Sequence, residues 1–217
     1  MPVFRLTKEI IFPSPYLAEE DGLLAVGGDL SLERLVLAYK NGIFPWYNKG
    51  EPILWWCIKP RFILKPEEVK VSKSMKKILK KGEFKVTFDK DFEGVISNCK
   101  SLREQNGDGT WIHNEMREAY INLFNHGLAS SVEVYKDDEL VGGLYGVKLG
   151  KCFFGESMFS KVSNSSKAAL ISLANRLKDD GFLFIDCQVH TNHLESMGAK
   201  FIEFEEFQKL IDEGINL

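Results

Sequence analysis

The chain has 217 residues, 44% of them hydrophobic and 12% aromatic, which supports a real core and excludes a wholly disordered chain. Lys and Arg number 28 against 31 Asp and Glu, and the resulting formal charge of −3 argues, as an average, against a histone-like or polybasic nucleic-acid binder. The stretch from Met1 to Leu17 lacks an apolar leader core, and no window approaches the length of a membrane span. Cys57, Cys99, Cys152 and Cys187 form no CxxC, so a cytoplasmic protein with reduced thiols is expected.

Pro and Gly break the first sixty residues every few positions, from Pro13 and Pro15 to Pro52 and Pro60. Between them, Ser31 to Lys40 reads as one short helix, with Ser31 as N-cap and Asn41-Gly42 as stop. A small, loop-rich N-terminal domain over residues 1–62 follows. The remaining domain, 63–217, begins with a helix from Ser72 to Lys81, capped by Ser72 and stopped at Gly82. A strand from Phe84 to Phe88, a helix at Asp91–Ser101, a polar loop from Gln105 to Gly109 and a helix near Asn114–His126 come next. Three β-rich runs, Ser131–Tyr135, Glu139–Val147 and Lys151–Gly155, are separated by short turns. An amphipathic helix at Asn164–Asp179 then feeds a strand from Phe182 to Gln188. A meander, a helix and a strand in that order match the GNAT N-acyltransferase core, an α+β architecture with a mixed sheet.

Three features carry chemistry. The first is a lysine face: at about 100° per residue, Lys73, Lys76, Lys77, Lys80 and Lys81 share one side of their helix, opposite Val71, Met75, Ile78 and Leu79. From Lys70 to Lys81 there are six lysines and no acid, so the rest of the chain sums to −9. These lysines repel one another without a compensating acid, which suits a phosphate-backbone partner; the alternative is a solvated helix face. Second, Trp46, Trp55 and Trp56 cluster, and Trp111 follows the polar loop. Trp46 and Trp111 lie in turn and loop positions and are the better candidates to stack on a base, whereas any one tryptophan can instead be core. Third, Glu156, Asp186 and Gln188 interrupt apolar strands. At spacing two, Asp186 and Gln188 share a strand face, where they can polarise an amine or satisfy loop backbone. A buried carboxylate there needs a cationic partner to stay charged, and the substrate is one candidate. Cys187, His190 and His193 lack a fourth metal ligand. The connection from Glu156 to Lys167 contains no glycine, so an acyltransferase on this core is not expected to use CoA.

Several longer motifs share one likeness. Phe12-Pro-Ser-Pro, Gly22-Leu-Leu-Ala-Val-Gly-Gly-Asp-Leu, Gly42-Ile-Phe-Pro-Trp-Tyr, Pro52-Ile-Leu-Trp-Trp, Gly109-Thr-Trp-Ile, Gly155-Glu-Ser-Met-Phe-Ser and Ile185-Asp-Cys-Gln-Val are collinear over nearly the whole chain. In them the sequence resembles the bacterial leucyl/phenylalanyl-tRNA–protein transferases.

The resemblance implies transfer of leucine or phenylalanine, and less readily methionine, from leucyl-tRNA, phenylalanyl-tRNA or their methionyl counterpart to an N-terminal Arg or Lys of acceptor proteins. The product is a peptide bond and a degradation signal. It implies a small N-terminal domain on a GNAT-like core, with neither metal nor other cofactor. Asp186 and Gln188 match the catalytic pair, with Asp186 polarising Gln188, and Glu156 helps hold the cationic acceptor. Trp46, Trp111 and Tyr120 are assigned to the aminoacyl-adenosine. Leu144, Phe153, Leu170, Leu173 and Leu177 wall the side-chain pocket, mostly with leucine where relatives place Met or Phe. The lysine helix follows the acceptor stem. A monomer is expected. Two other readings are a CoA-dependent N-acyltransferase and a non-enzymatic RNA-binding module.

Overall fold

A computed structural model describes residues 3–105 and 111–216, with the side chains of 103–105 not included. The N-terminal part holds β1 (Phe4–Leu6), β2 (Leu23–Gly27), α1 (Leu32–Lys40), β3 (Phe44–Pro45) and β4 (Leu54–Trp56). Its strands form a four-stranded sheet in the order β1-β2-β4-β3. Trp55 is fully buried with its indole N–H donated to Gly27 O at 2.9 Å, while Trp56 lies against Trp46 at 5.9 Å, one ring on each face of the strand.

The rest of the chain adds β5 (Arg61–Leu64), α2 (Lys73–Lys81), β6 (Lys85–Phe88), α3 (Phe92–Gln105) and α4 (Asn114–Asn125). It continues through β7 (Ala129–Lys136), β8 (Glu139–Leu149), β9 (Cys152–Ser160), α5 (Ser165–Asp179) and β10 (Phe184–Gln188), then α6 (Asn192–Ser196), β11 (Lys200–Ile202) and α7 (Phe204–Asn216). Seven strands pair in the order β11-β5-β10-β9-β8-β7-β6. Among the described residues of this sheet only β9 and β10 run parallel, because α5 crosses between them. The fold is mixed α+β, and the expected order of meander, helix and strand is the order observed. On one face of this sheet α3, α4 and α7 pack in a core shared with α1 and the small sheet; on the other α5 packs with Met75 of α2.

The lysine helix forms for the local reasons its sequence suggests. Ser72 Oγ accepts the Met75 N–H at 3.2 Å, and Gly82 closes the helix at φ 68°, a left-handed conformation open to glycine. Other expectations are corrected. Ser31 precedes α1 but makes no side-chain cap bond; Asp29 instead accepts the Ser31 N–H at 3.0 Å and pairs with buried Arg34. The strand expected from Phe182, β10, starts at Phe184. β5 belongs wholly to the larger sheet, and the change of sheet falls between Trp56 and Arg61. The helix expected to end at Ser101 runs to Gln105, and residues 106–109 of the expected polar loop lie outside the described residues. Among the described residues no helix is long and apolar enough to cross a membrane.

Candidate active site

Two irregularities in adjacent strands shape the site. Along β8, Tyr145 pairs with Ser157 and the next residue, Gly146, with Gly155, so Glu156 is an extra residue without a cross-strand partner. On β10, Asp186 pairs with Ile63 and Gln188 with Phe62, which leaves Cys187 extra and Gln188 at φ 60°. A bulge re-aims side chains and bends its strand. The parallel pairing of β9 and β10 stops at Phe154 and Asp186, just before both bulges, and a cavity opens there.

That cavity has a volume of about 330 Å³ and is lined by Leu144, Phe153, Met158, Leu170, Leu173 and Ile185, among others, with Glu156 and Gln188 at its polar end. Its size is within the range of small-molecule sites. A second cavity, about 260 Å³, is framed by Phe44, Pro45, Trp46 and Trp111. Glu156, Gln188, Val189 and Thr191 line both, so the two spaces meet at a carboxylate and an amide.

Glu156 is held from below. Tyr39, in the last turn of α1, donates to its Oε1 at 2.7 Å; Tyr120 of α4 donates to Oε2 at 2.8 Å. The two hydroxyls stand 2.6 Å apart, and Gln188 Nε2 donates to Oε1 at 3.2 Å. Burial pushes the Glu156 carboxyl up from its ordinary 4.5 to about 7; the Tyr39 and Tyr120 bonds oppose this, and the nearby Asp186 charge adds to it. Burial likewise raises both tyrosines well above their usual range, with the Glu156 charge next in weight. The linkage has a definite sign. A carboxyl raised on folding contributes stability that is full below about pH 4.5 and lost as pH rises through about 7. Thermal melts of Glu156→Gln and the parent from pH 4.5 to 8 are expected to diverge in the variant's favour as pH rises; a constant difference contradicts this.

Asp186 is fully buried, and its cationic partner is not a substrate amine. Arg61 of β5 binds it through Nε to Oδ1 at 2.9 Å and Nη2 to Oδ2 at 2.8 Å. The guanidinium lies over Phe44 at 5.1 Å and Phe207 at 4.7 Å. Asp186 Oδ1 also accepts the backbone N–H of Gln188 at 2.9 Å. Asp186 therefore reaches Gln188 through the main chain, and the Gln188 carboxamide turns to Glu156 instead.

Of the residues read from the sequence, Glu156, Gln188, Trp46 and Trp111 come together, as do Leu144, Phe153, Leu170 and Leu173. Leu177 is buried in the same cluster but is not on the cavity wall. Tyr120 lines neither cavity; it is wholly buried beneath Glu156. Lys73, Lys76, Lys77, Lys80 and Lys81 are exposed, and Lys81 pairs with Glu83 at 3.7 Å. His193 borders the apolar cavity and His190 bonds Glu195 at 2.9 Å. Tyr39 and Arg61 are absent from the sequence reading. Tyr39 carried no signal beyond an ordinary helical position, whereas Arg61 inside the apolar run to Leu64 was a legible anomaly.

An apolar chamber for a side chain, joined at polar groups to a tryptophan-framed chamber, suits an enzyme that moves an acyl group. The family model for leucyl/phenylalanyl-tRNA protein transferase matches residues 63–212, and the model for that family's N-terminal domain matches residues 28–57. A leucyl/phenylalanyl-tRNA–protein transferase of Flavobacterium johnsoniae is 55% identical over 209 residues, covering 96% of this chain and 99% of its own. One of Syntrophus aciditrophicus is 56% identical, covering 99% and 90%. A conserved protein of unknown function from Bacteroides thetaiotaomicron is structurally similar at TM-score 0.47 and 10% identity over 71% of this chain and 60% of its own, too loose to support an argument. The chain belongs to the leucyl/phenylalanyl-tRNA protein transferase family, and is thus an aminoacyltransferase.

Proposed function

We propose that this protein transfers leucine or phenylalanine, and less readily methionine, from aminoacyl-tRNA to the N-terminal Arg or Lys of acceptor proteins, as a cytoplasmic monomer. The observation that carries the proposal is the meeting of the two cavities at Glu156 and Gln188. The amino-acid side chain occupies the apolar chamber, and the terminal adenosine stacks between Trp46 and Trp111 in the other. The ester carbonyl then lies at the junction. An aminoacyl ester is already activated, so alignment of the acceptor amine supplies much of the rate. Gln188 Oε1, which is not used in the bond to Glu156, orients that amine. Asp186 acts by holding the Gln188 backbone. The lysine face of α2 binds the acceptor stem.

The test is incubation with labelled leucyl-tRNA and a peptide beginning with Arg. Acid-stable label on the peptide is expected, and its absence rejects the proposal. Replacing Lys76, Lys77 and Lys80 together by alanine is expected to weaken tRNA binding. It should also reduce the slope of log affinity against log salt by about 2–3, read by filter binding across a salt series. An unchanged slope removes α2 from the interface.

A further inference from the structure

Two hydroxyls and one carboxyl group under the junction of the cavities form a closed ring of three contacts. Tyr39 and Tyr120 hydroxyls are 2.6 Å apart, Tyr39 is 2.7 Å from Glu156 Oε1, and Tyr120 is 2.8 Å from Oε2. Each of the three edges is a hydrogen-bond distance, and each hydroxyl brings one proton. With Glu156 as a carboxylate, two protons serve three edges. A third proton on Glu156 completes the ring, so the arrangement has a place for one more proton than it holds when charged. Glu156 is nine-tenths buried yet lines both cavities. The alternative candidates at the junction are neutral or occupied: Gln188 is an amide, and Asp186 is bound on both oxygens by Arg61.

Resting on the function proposed above, we infer that Glu156 is the group that takes the proton from the acceptor's α-ammonium, with Tyr39 and Tyr120 as the positioning residues that hold the proton there. The ammonium loses one proton to the carboxylate. The freed nitrogen lone pair attacks the ester carbonyl carbon, forming the C–N bond and moving the carbonyl π pair onto oxygen. On collapse the bond to the ribose oxygen breaks. That oxygen takes the proton back from Glu156, and the amide nitrogen releases its surplus proton to water. The carboxylate is restored.

The groups around Glu156 set the sign of the pH response. Tyr39 comes from α1, Tyr120 from α4, Tyr145 from β8 at 5.6 Å from the Tyr120 ring, and Asp186 from β10 with Arg61 of β5 beside it; His193 of α6 borders the same cavity. The carboxyl, raised to about 7 by burial, must be deprotonated to act, so transfer rises with pH through that region. The Tyr39 bond lowers the value, so Tyr39→Phe is expected to move the limb to higher pH.

The experiment compares two acceptor peptides, one with an ordinary N-terminal Arg amine and one whose N-terminus is an aminooxy group, already neutral at pH 7. Glu156→Gln is expected to reduce single-turnover transfer to the amine about 100-fold and to the aminooxy peptide less than tenfold. Equal losses with both peptides overturn the inference and leave Glu156 as a positioning residue. The parent enzyme's transfer in the same experiment tests the proposed function separately. Should Glu156→Gln not fold, the Tyr39→Phe profile decides: a limb at unchanged pH overturns the inference, and an upward shift supports it.

Discussion

Replacing Arg61 by methionine is expected to destabilise the protein by about 3–5 kcal/mol, because it leaves a charge buried without its partner. Arg61 and Asp186 are both fully buried and joined by two hydrogen bonds, so the carboxylate loses its cationic partner with Arg61. Methionine fits between Phe44 and Phe207, so the loss reflects the stranded carboxylate more than a cavity. For a chain of this length the change corresponds to roughly 10 °C in melting temperature. The double variant Arg61→Met with Asp186→Leu separates the causes. Removing both charges is expected to restore most of the stability, since the cost of burying the pair disappears with it. Transfer activity is not expected to return, because the Gln188 N–H loses its acceptor and the bulge that aims the carboxamide loosens. Urea melts alongside single-turnover rates check both halves; a double variant no more stable than the single one contradicts the account.

Filling the apolar cavity is expected to impair use of both charged tRNAs while leaving RNA binding in place. Leu173 lies on the cavity wall and belongs to α5, a helix held along its length by Ala168, Ala169 and Ala174 against the sheet. Leu173→Trp places a large ring into a space of about 330 Å³. Loss of a buried leucine or phenylalanine side chain removes about 1.5–3 kcal/mol of binding, and displacement of the ester by an ångström adds a further penalty. A fall of about 100-fold in kcat/KM is expected, larger for phenylalanyl-tRNA than for leucyl-tRNA because the ring needs more room. Affinity for uncharged tRNA, which we propose rests on α2, is expected to change less than twofold. Equal and small effects on the two charged tRNAs place the side chain elsewhere.

Much of this protein was legible along the chain because its signals are local. The lysine face of α2 follows from helical period, and its ends from Ser72 and Gly82. The three long strands follow from β-rich runs between short turns. Glu156, Asp186 and Gln188 announced themselves as polar residues in apolar strands, where burial demands a partner. What the chain could not declare was the partner. Glu156 meets Tyr39 and Tyr120, 117 and 36 residues away, and Asp186 meets Arg61, 125 residues away. Strand alternation placed Asp186 and Gln188 together, but one extra residue, Cys187, broke that alternation and separated their roles. A bulge depends on which strands are neighbours and where their ladders end, which no spacing within one strand encodes. Sequence by itself determined which residues carry charge, apolar surface and unusual polarity; only the tertiary structure decided which of them share a hydrogen bond, because hydrogen-bond geometry at 2.6–2.9 Å is set by packing across the whole fold.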